Sequence, residues 1–80
     1  MLNVEIVTTE EVVYSGSADV VIAPGSEGQL GILPRHAPLL TSIKTGDVIV
    51  REGTQESTIA VNGGFLEVKN DRVTILTVTS

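Results

Sequence analysis

The sequence predicts an all-β chain: a β-sandwich of about ten short strands in two sheets, with no helix. Three observations give that class. Apolar and polar residues alternate with period 2, turn signals recur at short intervals, and no window keeps apolar residues at i, i+3, i+4 and i+7.

Taken in order, Leu2, Val4 and Ile6 alternate with Asn3, Glu5 and Val7. Ala18, Val20 and Ile22 alternate with Asp19, Val21 and Ala23. Val48 and Val50 alternate with Asp47, Ile49 and Arg51, and Val73, Ile75 and Thr77 with Arg72, Thr74, Leu76 and Val78. β-Branched side chains fit a pleated, half-buried surface, which makes these runs strands. Val20-Val21-Ile22 and Val48-Ile49-Val50 are apolar on both phases, so these strands are expected to be covered on both faces, by the second sheet or by a partner. Between the runs stand Ser15-Gly16-Ser17, Pro24-Gly25-Ser26, Gly28, Gly31, Pro34, Pro38, Thr45-Gly46-Asp47, Glu52-Gly53-Thr54, Asn62-Gly63-Gly64 and Lys69-Asn70-Asp71. Gly supplies positive φ and Pro fixes φ, so each reads as a turn. Asn70-Asp71 is expected to close a tight hairpin between strands at 64–69 and 72–79. With no linker, repeat or low-complexity stretch, residues 1–80 form one domain.

Composition narrows the chemistry. The chain has no Cys and one each of Met, Phe and Tyr, so there is no disulfide framework and the core must be aliphatic. A chain of this size buries only about 60% of the surface its unfolded form exposes, so modest stability is expected in isolation. The net charge of −5, with five scattered basic residues, argues against nucleic acid as a partner. Few aromatics argue against base-stacking or sugar-binding shelves. No apolar run reaches the roughly 20 residues that span a bilayer, so no membrane insertion is expected. The N-terminus lacks the basic region and cleavage site of a signal peptide. The expected state is a monomer in the cytosol or an equivalent compartment.

Chemical motifs are weak. Gly25, Gly28 and Gly31 are spaced G-x-x-G-x-x-G, which matches neither phosphate-binding pattern, and no helix follows to present an N-terminus. The single histidine, His36, lacks the companions that a metal site or a catalytic base needs. Glu10-Glu11 would point to opposite faces of a strand and cannot share a proton. Glu52, Glu56 and Glu67 are expected on exposed strand faces or ends. Gly63-Gly64 marks a bulge, a close strand crossing, or a close approach by a partner. No catalytic residue, cofactor site or metal site is therefore expected. What remains is the stiff segment 24–40, with three prolines, three glycines, five aliphatics and two basic groups. A rigid loop loses little entropy on binding, which suits docking.

That segment, Pro24-Gly25-Ser26-Glu27-Gly28-Gln29-Leu30-Gly31-Ile32-Leu33-Pro34-Arg35-His36-Ala37-Pro38-Leu39-Leu40-Thr41, resembles the N-terminal domain of the epsilon subunit of F-type ATP synthases. Val13-Tyr14-Ser15-Gly16, Ile43-Lys44-Thr45-Gly46, Val61-Asn62-Gly63-Gly64-Phe65-Leu66-Glu67-Val68 and Val73-Thr74-Ile75-Leu76 extend the likeness over nearly the whole chain. The resemblance implies a β-sandwich of two five-stranded sheets. It also implies a non-catalytic place in the central stalk, bound to the gamma subunit and resting on the membrane-embedded c ring. The location implied is peripheral to an energy-transducing membrane, on the cytoplasmic side of a bacterial plasma membrane or its organellar equivalent. Carried onto this sequence, the partner-binding residues would be Glu27, Gln29, Leu30, Arg35, His36, Ala37 and Pro38. Gln29 stands where the family commonly has Glu, and Arg35 where it has Gly, so this surface loses a negative charge and gains a positive one. Full-length family members usually continue into two C-terminal helices. The strand-like ending Thr77-Val78-Thr79-Ser80 leads to the expectation of an excised domain or a short family member. The competing readings are a stand-alone ligand-binding β-sandwich and a hydrolase built on His36.

Overall fold

The computed structural model describes residues 1–78. Alternating burial along the chain organises these residues into strands β1 (Leu2–Val7), β2 (Val12–Ala18), β3 (Val20–Gly25), β4 (Gly28–Ile32), β5 (Leu39–Glu52), β6 (Gln55–Lys69) and β7 (Arg72–Thr77). No helix occurs among them. In β1, Leu2, Val4 and Ile6 are buried while Asn3 and Glu5 are exposed, the pattern of a strand with one dry face. The strands form one hydrogen-bonded sheet in the order β2-β1-β7-β6-β5-β3-β4. All pairs are antiparallel except β1 with β7, which joins the two ends of the chain in parallel.

Seven strands replace the expected ten because β5 and β6 are long, at 14 and 15 residues. The sequence marks breaks at Thr45-Gly46-Asp47 and Asn62-Gly63-Gly64. Both lie inside strands, and pairing runs in one register from Leu39↔Val68 to Glu52↔Gln55. The glycines bend this hairpin without shifting its register: the rung opposite Gly63 drops out of the ladder, and the pairing resumes in the same register on both sides. The first half of β5 and the second half of β6 sit with β2, β1 and β7 in one layer. The other halves sit with β3 and β4 in a second layer. One core fills the space between them: Leu2, Val4, Ile6, Leu66, Val68, Val73 and Ile75 from the first layer, and Val21, Ala23, Ile32, Val48, Val50 and Val61 from the second. A single sheet doubled over on itself is the sandwich.

The bend has an identifiable cause. Gly64 has φ 126, and a Cβ there would run into the Leu76 carbonyl oxygen of β7. The Thr77 side chain, buried beneath, accepts from the Asn62 N–H at 3.1 Å and donates to the Gly63 carbonyl at 2.8 Å. It satisfies two backbone groups that the bend takes out of the ladder.

The molecule consequently has two ends. The hairpin end holds the Gly53-Thr54 turn, the Asn70-Asp71 turn and residues 33–38. The bend end holds the Ser26-Glu27 turn, residues 8–11 and the β5–β6 bend. Asn70 and Asp71 have φ 51 and 59, both left-handed, as the expected two-residue hairpin requires. That hairpin joins Lys69 to Arg72; its arm closes at Thr77, and the expected position 79 lies outside the described residues. Glu10 and Glu11 are exposed in a turn whose N–H groups both donate to the Thr8 hydroxyl at 3.1 Å.

Gly64→Ala is expected to cost about 2–4 kcal/mol, from backbone strain and the clash with β7, read by urea unfolding. Gly31→Ala, with open space around its Cβ, stays within about 0.5 kcal/mol of the parent.

Candidate functional site

The segment 24–40 is built from the β3–β4 hairpin and the crossing that follows. Pro24 lies inside β3, opposite Gln29. It has no N–H to give, and it sits where the β3–β5 register shifts between Ile22 and Gly25. Gly25 is buried, and a Cβ there would come within 2.5 Å of the Gly28 carbonyl and 2.8 Å of Leu30 Cγ. Its side chain is excluded by the tightness of the turn, which accounts for this glycine without any phosphate. The turn is tied to β5: the Ser26 N–H and hydroxyl both donate to the Ser42 carbonyl, at 3.3 and 3.1 Å. Glu27 and Gln29 are exposed on this rigid base, whereas Leu30 is half-buried and packs on the core.

At the other end of β4, residues 33–38 carry the chain from the second layer to the first. Arg35 has φ 66, a left-handed conformation uncommon for a long side chain. Its N–H donates to Asp71 Oδ1 at 2.6 Å, which pins the loop to the β6–β7 hairpin. The Asp71 carbonyl accepts from the Asn3 N–H at 2.8 Å, so one turn residue joins the loop to β1. His36 is half-buried, and its Nδ1 donates to the Ala37 carbonyl at 2.7 Å. Its ring is thus held by a backbone carbonyl and not by a carboxylate or hydroxyl of a catalytic set. Ala37 and Pro38 are exposed.

The seven residues do not share one surface. Glu27 stands in the turn before β4, Gln29 and Leu30 lie within β4, and the other four follow it, so at about 3.3 Å per residue the length of β4 sets the turn and the loop roughly 13 Å apart. Glu27 belongs to the bend end and Arg35, His36, Ala37 and Pro38 to the hairpin end, with Gln29 and Leu30 along the strand between them. Among the described residues the ion pair is Arg51–Glu56, 2.9 Å across neighbouring strands, and neither Glu27 nor Arg35 has one. No cluster of three or more His, Asp or Glu side chains of metal-binding geometry forms among them.

Two apolar surfaces were not singled out by motif. On the outside of the second layer, Ile22 is flanked by Ile49 and by the bare backbone of Gly31, with Val20 one row away. The double-phase apolar runs signal this face, which is half-covered only by its own neighbours. On the outside of the first layer, Phe65 pairs with Leu76 and both are exposed. With Thr9, Gly64, Thr77 and Val78 they line a recess of about 220 Å³. Nothing in the period-2 pattern distinguishes a phenylalanine on that outer row from one in the core.

Residues 1–80 match the family described as ATP synthase, Delta/Epsilon chain, beta-sandwich domain. The chain is similar to the ATP synthase epsilon chains of Brevibacillus brevis, 52% identical over 80 residues, and Desulforamulus reducens, 51% identical over 78. It covers 99% of itself and 61% of the first, and 98% of itself and 59% of the second, so it spans about three-fifths of these relatives. In fold it is similar to a chain of the Euglena gracilis mitochondrial ATP synthase (OSCP/F1/c-ring), with TM-score 0.90 and 21% identity, covering 98% of this chain and 51% of that one. A chain of the Tetrahymena thermophila mitochondrial ATP synthase central stalk and c-ring gives TM-score 0.77 at 19% identity, with 98% and 63% covered.

Relief of the left-handed strain at position 35 makes Arg35→Gly neutral to stabilising, by up to about 1 kcal/mol in chemical unfolding. A loss larger than that would show that the Arg35 side chain itself supports the fold.

Proposed function

Because the chain belongs to the ATP synthase delta/epsilon β-sandwich family, we propose that it is a non-catalytic central-stalk module, docking the gamma subunit onto the c ring and coupling proton translocation to ATP synthesis. The observation that carries this reading is the unbroken family match over residues 1–80, at about half identity to epsilon chains. Catalysis then lies in other subunits. The module sits peripheral to the energy-transducing membrane, on the cytoplasmic side in a bacterium or the organellar equivalent.

The geometry supports a coupling role in one further respect. A part that transmits torque needs contact elements that do not yield, and both ends of β4 are anchored. The Ser26-Glu27 turn is bonded to β5, and the 33–38 crossing is bonded to Asp71. Preorganised elements lose little entropy on docking. Their separation by β4 suits a module that meets partners at two places. With Glu27 on one end and Arg35 on the other, rim charges of opposite sign tune orientation and association rate more than affinity.

Mixed with its cognate gamma subunit at micromolar concentration, the chain is expected to co-elute as a stable complex in size exclusion, and alone to hydrolyse no ATP. Failure to associate would remove the reading. In membranes rebuilt with the subunit, Arg35→Glu is expected to lower ATP-driven proton pumping while leaving thermal unfolding unchanged. Pumping equal to the parent would remove Arg35 from the contact.

A further inference from the structure

We infer that the free edge of β4 takes up an extended strand of the gamma subunit by main-chain pairing at Gln29 and Gly31. The inference rests on the central-stalk reading and adds the mode of docking.

β4 is the last strand of the sheet, paired on one side only. Which of its backbone groups are free follows from Pro24. Pro24 lies opposite Gln29 and has no N–H, so this pair cannot be a bonded one. The bonded pairs are Val21↔Ile32, Ala23↔Leu30 and Gly25↔Gly28, and the N–H and C=O groups of Gln29 and Gly31 point away from β3. Both residues are exposed, and among the described residues no backbone hydrogen bond outside the ladders reaches either of them.

Sheet edges are commonly guarded by charge, proline or a bulge. β2, at the opposite end, has a register shift at Ile6/Val7. The outer half of β6 carries Glu56, paired with Arg51. β4 reads Gly-Gln-Leu-Gly-Ile in one unbroken register, with none of these guards. An unguarded edge with two donors and two acceptors in register matches an added strand.

The side chains specify that strand further. Gly31 leaves its outer face bare, with nothing within 4 Å of a Cβ placed there, and Ile22 lies beside it, half-buried. A large apolar side chain opposite Gly31 would cover that notch and reach Ile22. Towards the turn, exposed Glu27 favours a basic residue. A second copy of this chain fits poorly. The antiparallel register that engages both bonding residues of each copy sets Gln29 over Gly31, and each copy carries a net charge of −5. The edge runs along the flank of the domain, away from the Ser26-Glu27 turn, which places a strand-donating partner beside the module. The Gln29 side chain leaves through the sheet face while its backbone groups lie in the sheet plane, so pairing at the edge does not compete with a contact made by that side chain.

The test is residue-resolved amide exchange on the wild-type chain, alone and in its complex with purified gamma subunit. Gln29 and Gly31 N–H are expected to exchange at least about tenfold more slowly in the complex. Gln29→Pro, which removes one edge donor, is expected to weaken gamma binding about threefold to tenfold. Gly31→Lys, which guards the edge with charge, is expected to weaken it at least as much. A wild-type complex in which both amides exchange as fast as in the free chain overturns strand addition while leaving the stalk reading in place. So does equal binding by two variants that unfold at the parent temperature. Absence of any complex overturns both.

Discussion

At Gly64 the backbone of β6 crosses the Leu76 carbonyl so closely that no side chain can stand between them. A long antiparallel hairpin would otherwise continue as one flat two-stranded ribbon. Here it turns, and Thr77 bonds the Asn62 and Gly63 groups that the turn removes from pairing. Once β5 and β6 are bent, each serves two layers, and the inward-facing residues of β1 and β7 come to lie opposite those of β3 and β4. The aliphatic core is therefore a consequence of the bend as much as its reward. Without the bend, Val21, Val48 and Val50 would face water.

The same bend sets the surface. It sends the Ser26-Glu27 turn to one end and residues 33–38, with the Asn70-Asp71 turn, to the other. At the second end Asp71 is central: its carboxylate receives the Arg35 N–H and its carbonyl receives the Asn3 N–H. One hairpin turn thus fixes a loop and the first strand together. The family's β-sandwich is built here with few aromatic residues, by packing Val, Ile and Leu at every second position, while Phe65 stays on the outside.

Much of this was legible in the sequence, and the misreadings have a common cause. The Asn70-Asp71 hairpin could be read directly, because few side chains other than Asn and Asp tolerate left-handed backbone, and the flanking alternation sets the register. Gly46 and Gly63-Gly64 look like breaks in the sequence because glycine serves equally to end a strand and to bend one, while the close strand crossing expected at Gly63-Gly64 is what Gly64 makes with β7. Only the partner strand decides which, and the β5–β6 pairing keeps one register on both sides of the bend. The segment 24–40 was legible as stiff, yet its contact residues read as one site because they are neighbours in sequence. Strand β4 carries Gln29 and Leu30 along its length and sets Glu27 at one end and Arg35, His36, Ala37 and Pro38 at the other.

Period-2 alternation, turn chemistry and the absence of Cys determined by themselves that the chain is an aliphatic all-β sandwich, and a long specific motif was enough to indicate its family. These are local properties, written in the order of residue types. Tertiary structure decided that the strands form one doubled sheet, that β4 lies at its edge with Gln29 and Gly31 unpaired, and that the predicted contact residues are spread along β4 and beyond both its ends. Those facts depend on which strands meet, and the meeting of β6 and β7 at Gly64 is set by space between backbones, which no single stretch of sequence contains.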